Sequence, residues 1–465
     1  MALVKVVVFT PTHEASHLVD LARSLAEQRL SEGVELHWRL GLNGSLRSDE
    51  ATSSLAEAFR VARQAGIVVK LLDIHEHAPN IGALKRALCM GAIEEGADLL
   101  VEADHDDLLA RDAISALVKE MGGPVFLYSN TAHFSTSPLE THGFSSFFGW
   151  ESAPLVADAP GLDGFETVSM RAFPPSARSF CQILYAPDHV RAWSKEAYLL
   201  AGGHDPTWRV CDDHDLLCRT YLNTNIRIEH VDRCLYHYRR QPGNTFAGPW
   251  NMEIQRLSGQ GTHRHPDGSA VPDFAQPIAL RDRYLHPLVE AEARRKNGRL
   301  LDIGGALNTP RGWTSLDLQG GDISRDLRRG LPFQDNSVFA LRAFDVLEHL
   351  APADAAFVLS ECWRVLEPGG WLLTRTPADS GPGAACDLSH LSRWNTRSFA
   401  YFWSKELLPY REQAYPGLKA AFQPVRIFEE MTTCGPWPCQ WQVPYVVADL
   451  LCMKDGLRPP GALFM

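Results

Sequence analysis

Two patterns alternate along the first hundred residues. Short, nearly continuous apolar runs are closed by polar turns, and between them apolar residues recur at helical spacing. Val4-Lys5-Val6-Val7-Val8-Phe9 is β-branched and predicts a strand buried on both faces. Thr10-Pro11-Thr12-His13-Glu14 reads as the turn after it, and Leu18, Leu21, Ala22 and Leu25 then mark one face of a helix. Val34 to Leu42 predicts a second strand, ending at Asn43-Gly44-Ser45. A helix over 51–63 leads to a strand over 67–72. Asn80-Ile81-Gly82 opens another helix, with Leu84, Ala87, Leu88 and Gly91 on one face. A fourth apolar run, Leu99-Leu100-Val101-Glu102-Ala103, ends abruptly in Asp104-His105-Asp106-Asp107. This strand–helix alternation predicts a parallel, doubly wound α/β sheet.

Ligands of such sheets bind at the carboxyl ends of the strands. Thr10 to Glu14, Asn43, Asn80 to Lys85 and Asp104 to Asp107 all fall there. Asp104 and Asp106 lie two apart, so on an extended chain they point the same way. Hard divalent cations such as Mg2+ and Mn2+ take oxygen ligands of this kind, usually one or two carboxylates plus substrate phosphates. Taken alone, the acidic run reads equally as a solvated turn. Its place beside three other loops at one sheet end favours a metal.

The pattern then breaks and restarts. Residues 258–269 are polar and rich in glycine and proline, and their His263-Arg264-His265 triplet reads as loop. A helix over 287–296 leads into Arg299-Leu300-Leu301-Asp302-Ile303-Gly304-Gly305, a strand followed by a glycine turn. Trp313-Thr314-Ser315-Leu316-Asp317 is a second strand ending in a carboxylate. Asp326-Leu327-Arg328, Leu331-Pro332-Phe333 and Phe344-Asp345-Val346-Leu347-Glu348-His349 follow. Phe357, Ser360, Trp363 and Leu366 recur on a helix that stops at Glu367-Pro368-Gly369-Gly370, before a strand over 371–375. This is a second α/β unit with its own start. The expected organisation is a first domain over 1–256, a linker over 257–284 and a second domain over 285–465.

Composition narrows the picture. The net charge of −11 comes without any Lys/Arg-rich block, so there is no strong nucleic-acid signature. Ten scattered cysteines form no CxxC pair, which argues against a zinc knuckle and suits a reducing cytoplasm. The chain enters a strand at once and has no apolar run near 18 residues. We therefore expect no signal peptide, no transmembrane helix and a cytoplasmic location.

The first half resembles family 2 glycosyltransferases of the GT-A fold, over residues 3–250. Pro11-Thr12-His13-Glu14 matches their first turn, Asn43-Gly44-Ser45 their second, and Asn80 with Gly82 their Asn-x-Gly. Asp104, Asp106 and Asp107 match the Asp-x-Asp-Asp metal motif. Gly202-Gly203-His204-Asp205, Asp212-Asp213-His214-Asp215-Leu216 and Tyr238-Arg239 complete the series in order. The resemblance implies transfer of a sugar, with inversion, from a UDP-, GDP- or dTDP-sugar. Asp106 and Asp104 would hold Mn2+ or Mg2+ on the diphosphate, and Thr10, Pro11, Glu14, Asn43, Asn80, Lys85 and Asp104 would line the donor site. Lys85 reads either as a phosphate contact or as a solvated helix lysine. Asp213 would be the general base, crowded by Asp212 and Asp215, whose like charges would raise one of the pKa values of the group. The family's late metal-ligating histidine has its nearest candidate in His237, which reads equally as a buried strand histidine. Phe134, Phe144, Phe147, Phe148 and Trp150 suit acceptor stacking or ordinary packing.

The second half resembles class I S-adenosylmethionine-dependent methyltransferases, over residues 298–405. The match rests on Gly312-Trp313 with Asp317, Asp326-Leu327, Leu331-Pro332-Phe333, Val346-Leu347-Glu348-His349 and Glu361-Cys362 through Gly370. It implies that Asp302 and Gly304 approach the cofactor's amino-acid end, Asp317 the ribose and Asp326 the adenine. Glu348 and His349 would sit beside the transfer site, and His390 reads as a base, a substrate contact or a structural residue. The usual Gly-x-Gly-x-Gly is Gly304-Gly305-Ala306-Leu307-Asn308 here. The two resemblances together imply a bifunctional transferase acting on a glycan, lipid-linked, protein or modified-base acceptor. The other reading makes the C-terminal half a non-catalytic module that docks the acceptor or a partner.

Overall fold

Val6, Val8, Leu99 and Val101 have no solvent exposure and lie on two adjacent parallel strands at the centre of the first sheet. Burial on both faces is why those runs lack polar alternation. The computed structural model describes residues 3–42, 49–73, 80–135, 151–182, 186–240, 251–258, 263–264, 270–271, 274–305, 308–404, 407–435 and 440–454. Met1–Ser258 and Gly259–Met465 form two compact units.

The first unit begins β1 (Val4–Thr12), α1 (Leu18–Ala26), β2 (Val34–Leu42), α2 (Asp49–Gln64), β3 (Val68–Asp73), α3 (Ile81–Glu94) and β4 (Leu99–Glu102). It continues with β5 (Leu108–Leu109), α4 (Ala113–Lys119), β6 (Val125–Ser135), β7 (Ser152–Val156), β8 (Glu166–Met170), α5 (Ala177–Gln182) and β9 (Arg191–Ser194). α6 (Lys195–Leu200), α7 (Asp212–Leu222), β10 (Arg227–Arg240) and α8 (Asn251–Ser258) end it. The main sheet runs β3-β2-β1-β4-β9-β6-β10-β5. The first four strands in that order are parallel, as the alternation predicts. β9 is antiparallel to both β4 and β6, and its register sets Arg191 directly opposite Glu102.

One boundary differs in a way that bears on function. β1 runs through Thr12 instead of turning at Thr10, because Pro11 and Thr12 pair with Gly41 and Leu42 of β2. Trp38 Nε1 donates to the fully buried Thr10 hydroxyl at 3.0 Å, so this polar group is satisfied inside the core.

The second unit holds β11 (His263–Arg264), β12 (Ala270–Val271), α9 (Ala279–Lys296), β13 (Leu300–Ile303), β14 (Thr314–Asp317), β15 (Ile323–Ser324) and β16 (Val338–Phe344). α10 (Pro352–Val365), β17 (Leu366–Pro377), α11 (Gly383–Cys386), α12 (Leu408–Ala414), β18 (Phe422–Cys434) and β19 (Trp441–Cys452) follow. Its sheet runs β15-β14-β13-β16-β17-β19-β18, and β19 is antiparallel to both neighbours. This is a Rossmann-like α/β sheet. The strand order reverses between β13 and β16, which opens a crevice at their carboxyl ends. Two expectations change here. α9 starts earlier than 287 and carries Pro287 inside it, because Leu280, Tyr284 and Leu285 bury its first turns. His263 and Arg264 are not loop but pair with Val271 and Ala270. No helix among the described residues is long and apolar enough to cross a membrane.

Candidate functional site

In the first unit a continuous set of charged contacts runs across the carboxyl end of β4 and the amino end of the antiparallel β9. Lys85, on the inner face of α3, is 7% exposed, and its Nζ lies 2.7 Å from Glu102 Oε1 and 3.3 Å from Asp212 Oδ2. Arg191 Nη1 lies 3.6 Å from Glu102 Oε2 and 2.6 Å from Asp213 Oδ2. His189 Nε2 lies 3.9 Å from Glu102 Oε2 and 3.8 Å from Asp104 Oδ2. The His189 ring stacks on Tyr236, whose hydroxyl accepts the Asp104 N–H at 3.0 Å. Asp104 and Asp213, far apart in sequence, are thus joined through His189, Glu102 and Arg191.

The charges tune one another. Burial works against the Glu102 carboxylate, but Lys85 and Arg191 hold it down to about 2. Burial likewise opposes the Lys85 ammonium, and Asp212 and Glu102 overcome it, so its pKa stands well above the ordinary range. The crowding raises one carboxyl of the group, but that one is not Asp213. Arg191 and Lys85 outweigh burial and push Asp213 far below the usual carboxylate range. Burial, with the like charges of Asp213 and Glu102, raises Asp212 instead, to about 6. The Asp213 side chain is 27% exposed and that of Asp212 is 5% exposed, so Asp213 is the one an acceptor can reach. Asp215 is occupied by Arg219, which donates from Nε at 2.9 Å and Nη2 at 2.7 Å.

The acidic loop is clamped by the Tyr-Arg segment. Arg239 donates its backbone N–H to Asp107 Oδ1 at 2.6 Å and its Nε to the Asp106 carbonyl at 2.7 Å. Burial raises the Asp106 carboxyl, and Asp104 adds to that against His105. Glu14 joins the same loop through His105 Nε2 at 3.3 Å. Burial opposes its charge, but hydrogen bonds from His105 and Ser16 hold its pKa below the ordinary value.

Several expected site residues have other work. Lys85 is not a solvated lysine, because its ammonium is buried between Glu102 and Asp212. Asn80 caps α3, its side chain accepting from Ala83 N at 3.0 Å. Gly82 is needed for packing, since a Cβ there would meet the Asp205 carbonyl at 2.2 Å. Pro11 lies inside β1. His237 does not join Asp104 and Asp106. It neighbours Tyr236 on β10, so its side chain leaves the opposite face from the ring that meets Asp104. Burial lowers its pKa to about 4, and the carboxylate that acts on it is Asp158. Asn43, Phe144, Phe147, Phe148 and Trp150 lie outside the described residues. Arg239 lies over Phe134, 4.7 Å from the ring centroid. Glu102, His189 and Arg191 escaped the sequence reading. For Glu102 and Arg191 the one signal is a charge at the end of an otherwise apolar strand, which burial forces to find a partner; His189 lies outside the strands.

In the second unit the glycine turn after β13 is tightly cornered. Gly304 adopts φ +77°, and a Cβ would meet Val346 Cγ2 at 2.6 Å. A Cβ on Gly305 would meet Asp302 Oδ2 at 2.0 Å. Asp302 is buried. Its Oδ2 accepts from Arg342 Nη1 at 2.8 Å, while its Oδ1 has no hydrogen-bond partner. Burial raises its pKa against the pull of Arg342. Asp317 ends β14 and accepts from Leu318 N at 2.6 Å. Asp326 pairs with Arg328, with contacts of 3.0 Å to Nε and 2.8 Å to Nη2 that take it down to about 2. Ala306 and Leu307 lie outside the described residues. Glu348 and His349 form a short helical turn after β16, and Glu348 Oε2 accepts from Thr376 Oγ1 at 2.7 Å.

Comparison with known proteins adds an independent line. A family described as "Methyltransferase domain" matches residues 303–374. A "Probable S-adenosylmethionine-dependent methyltransferase" of Mycolicibacterium smegmatis is 36% identical over 94 residues, which are 20% of this chain and 34% of that protein. The match thus spans about a third of the relative's length. Among solved structures, S. aureus TarS 1–349 covers 66% of this chain and 76% of its own, at 14% identity and TM-score 0.35. A SAM-dependent methyltransferase from Methanosarcina mazei covers 34% of this chain and 93% of its own, at 11% identity and TM-score 0.24. Within the second unit, residues 303–374 thus match a methyltransferase domain.

Proposed function

We propose that this chain is a bifunctional transferase. Its first unit moves a sugar from a nucleotide-sugar to an acceptor hydroxyl with inversion, and its second moves a methyl group from S-adenosylmethionine. The observation that carries the first half is the joining of Asp104 to Asp213 through His189, Glu102 and Arg191. One end supplies carboxylates suited to a cation and the other a reachable carboxylate.

The residues suit a divalent ion. Asp106 is raised by burial and by Asp104, and a cation between them would relieve both costs. Bound there, Mn2+ or Mg2+ would stabilise the diphosphate as it leaves. Asp213 takes the acceptor proton, and Arg191 fixes its orientation. Arg239 holds the acidic loop through the Asp106 carbonyl and Asp107, and Glu14 steadies it through His105.

S-adenosylmethionine likewise suits the second unit. Gly304 keeps backbone open at the end of β13, and Asp302 Oδ1 is a buried acceptor without a hydrogen-bond partner. Asp302 and Gly304 face the amino-acid end and Asp317 the ribose. Asp326, paired with Arg328, lies toward the adenine.

Two measurements test the reading. UDP-, GDP- and dTDP-sugars are screened for Mn2+-dependent turnover, and one must be consumed by the wild-type chain and spared by Asp106→Ala. Calorimetry with S-adenosylmethionine must show binding. Absence of binding would leave the second unit as a docking module.

A further inference from the structure

The second unit carries a set of side chains that the methyl-transfer reading does not use together. Glu348, His349 and His390 each bring one ligand atom to a common point, all within 4.8 Å of one another. Glu348 is 1% exposed, and while its Oε2 takes the Thr376 hydroxyl, its Oε1 has no hydrogen-bond partner. Leaving a carboxylate oxygen buried and unpaired is costly, and a cation bound by it would remove that cost.

The surroundings prepare the two histidines. Ser389 Oγ donates to Asp387 Oδ1 at 2.6 Å and lies 3.0 Å from His349 Nδ1. With its proton given to Asp387, that hydroxyl accepts from Nδ1–H. His390 Nδ1 lies 3.4 Å from the Ala384 carbonyl, which can only accept. Both rings are thereby set with the proton on Nδ1, which leaves Nε2 a lone pair. The loop carrying His390 is tied to Glu348 by main-chain bonds from Leu391 N at 2.7 Å and Ser392 N at 3.0 Å to the Glu348 carbonyl.

We infer that Glu348, His349 and His390 bind a divalent transition-metal ion at the carboxyl end of β16. Two imidazoles and one carboxylate suit Zn2+, Fe2+, Co2+ or Ni2+ better than Mg2+. Three protein ligands leave a coordination position for water or an acceptor oxygen. The consequence for substrate rests on the methyltransferase reading. An acceptor hydroxyl on the metal loses its proton to solvent more readily, and its oxygen bonds to the methyl carbon. The S–C bond of the sulfonium breaks with its electron pair going to sulfur, leaving a neutral thioether. The acceptor class is then a hydroxyl.

The full-length chain is titrated with Co2+ and followed by visible absorption, with no S-adenosylmethionine present. We expect bands of a nitrogen-ligated ion, retained in Asp106→Asn and weakened at least about tenfold in affinity by His349→Ala or His390→Ala. Identical titrations of wild type and both histidine variants overturn the inference. His349 lies on the outer side of the set, so His349→Ala keeps the test open if His390→Ala does not fold. S-adenosylmethionine binding is read separately by calorimetry. A chain that binds it yet takes no Co2+ refutes the metal alone, whereas one that takes Co2+ without it refutes the methyltransferase reading alone.

Discussion

Lys85 Nζ lies 2.7 Å from Glu102 Oε1, and neither residue is more than 7% exposed. Breaking a buried pair from one side strands the other charge. Glu102→Gln is expected to cost about 3–5 kcal/mol, read as a lower urea midpoint at unchanged slope. The double variant Lys85→Met, Glu102→Leu should lose less than the two single losses added together, because no charge is then left alone within that pair.

Metal dependence should show in binding as well as turnover. With UDP at one hundred times its Kd and Mn2+ present, stabilisation of about 3 kcal/mol is expected. EDTA should abolish it, and Asp106→Asn should do the same at every Mn2+ concentration tested by thermal melting.

Asp213 is held far below the ordinary carboxylate range by Arg191 and Lys85. It therefore stays ionised at every working pH, and kcat/KM for sugar transfer should show no acid limb from Asp213 above about pH 5. Asp213→Asn should lower kcat by about 10^2–10^4-fold with little change in donor affinity. Arg191→Met removes the restraint and should bring an acid limb into the measured range.

His237 carries the sign of a buried neutral imidazole. Its folded pKa is about 4, against an ordinary 6.5. Between those values the unfolded chain binds a proton that the folded one refuses, so stability is complete above the unfolded pKa and falls as the pH drops toward the folded one. His237→Leu should flatten part of that acid loss, by up to about 3 kcal/mol near pH 4, in denaturant titrations across the range. His204, lowered by burial to about 3, and carboxylates held low such as Glu102 contribute to the remainder.

A methyl group on Gly305 would collide with Asp302 Oδ2. Gly305→Ala should displace that carboxylate and weaken S-adenosylmethionine binding at least about tenfold by calorimetry, a difference of about 1.4 kcal/mol.

The alternation of apolar runs and helical periodicity made both sheets legible, since strands buried on two faces must be apolar throughout. The acidic loop, Asp213 and the glycine turn at Gly304 were legible too, because each ends or opens an element. What stayed hidden depends on pairing between distant strands. Nothing local tells that Arg191 will lie opposite Glu102, or that this pairing sends the crowding onto Asp212 and not Asp213. Lys85 read as a phosphate contact or a solvated helix lysine, and its burial against Glu102 stayed hidden for the same reason. His237 misled because alternation on β10 fixes its direction only once the register of the strand is known.

The antiparallel insertion of β9 has a consequence for synthesis. Glu102 is made long before Arg191, and until β9 docks, the nascent parallel half holds that carboxylate with Lys85 as its counter-ion and an open edge on β4. A ribosome-bound chain stopped short of residue 191 should therefore remain protease-sensitive at β4, and the unit should become resistant in one step when β9 emerges.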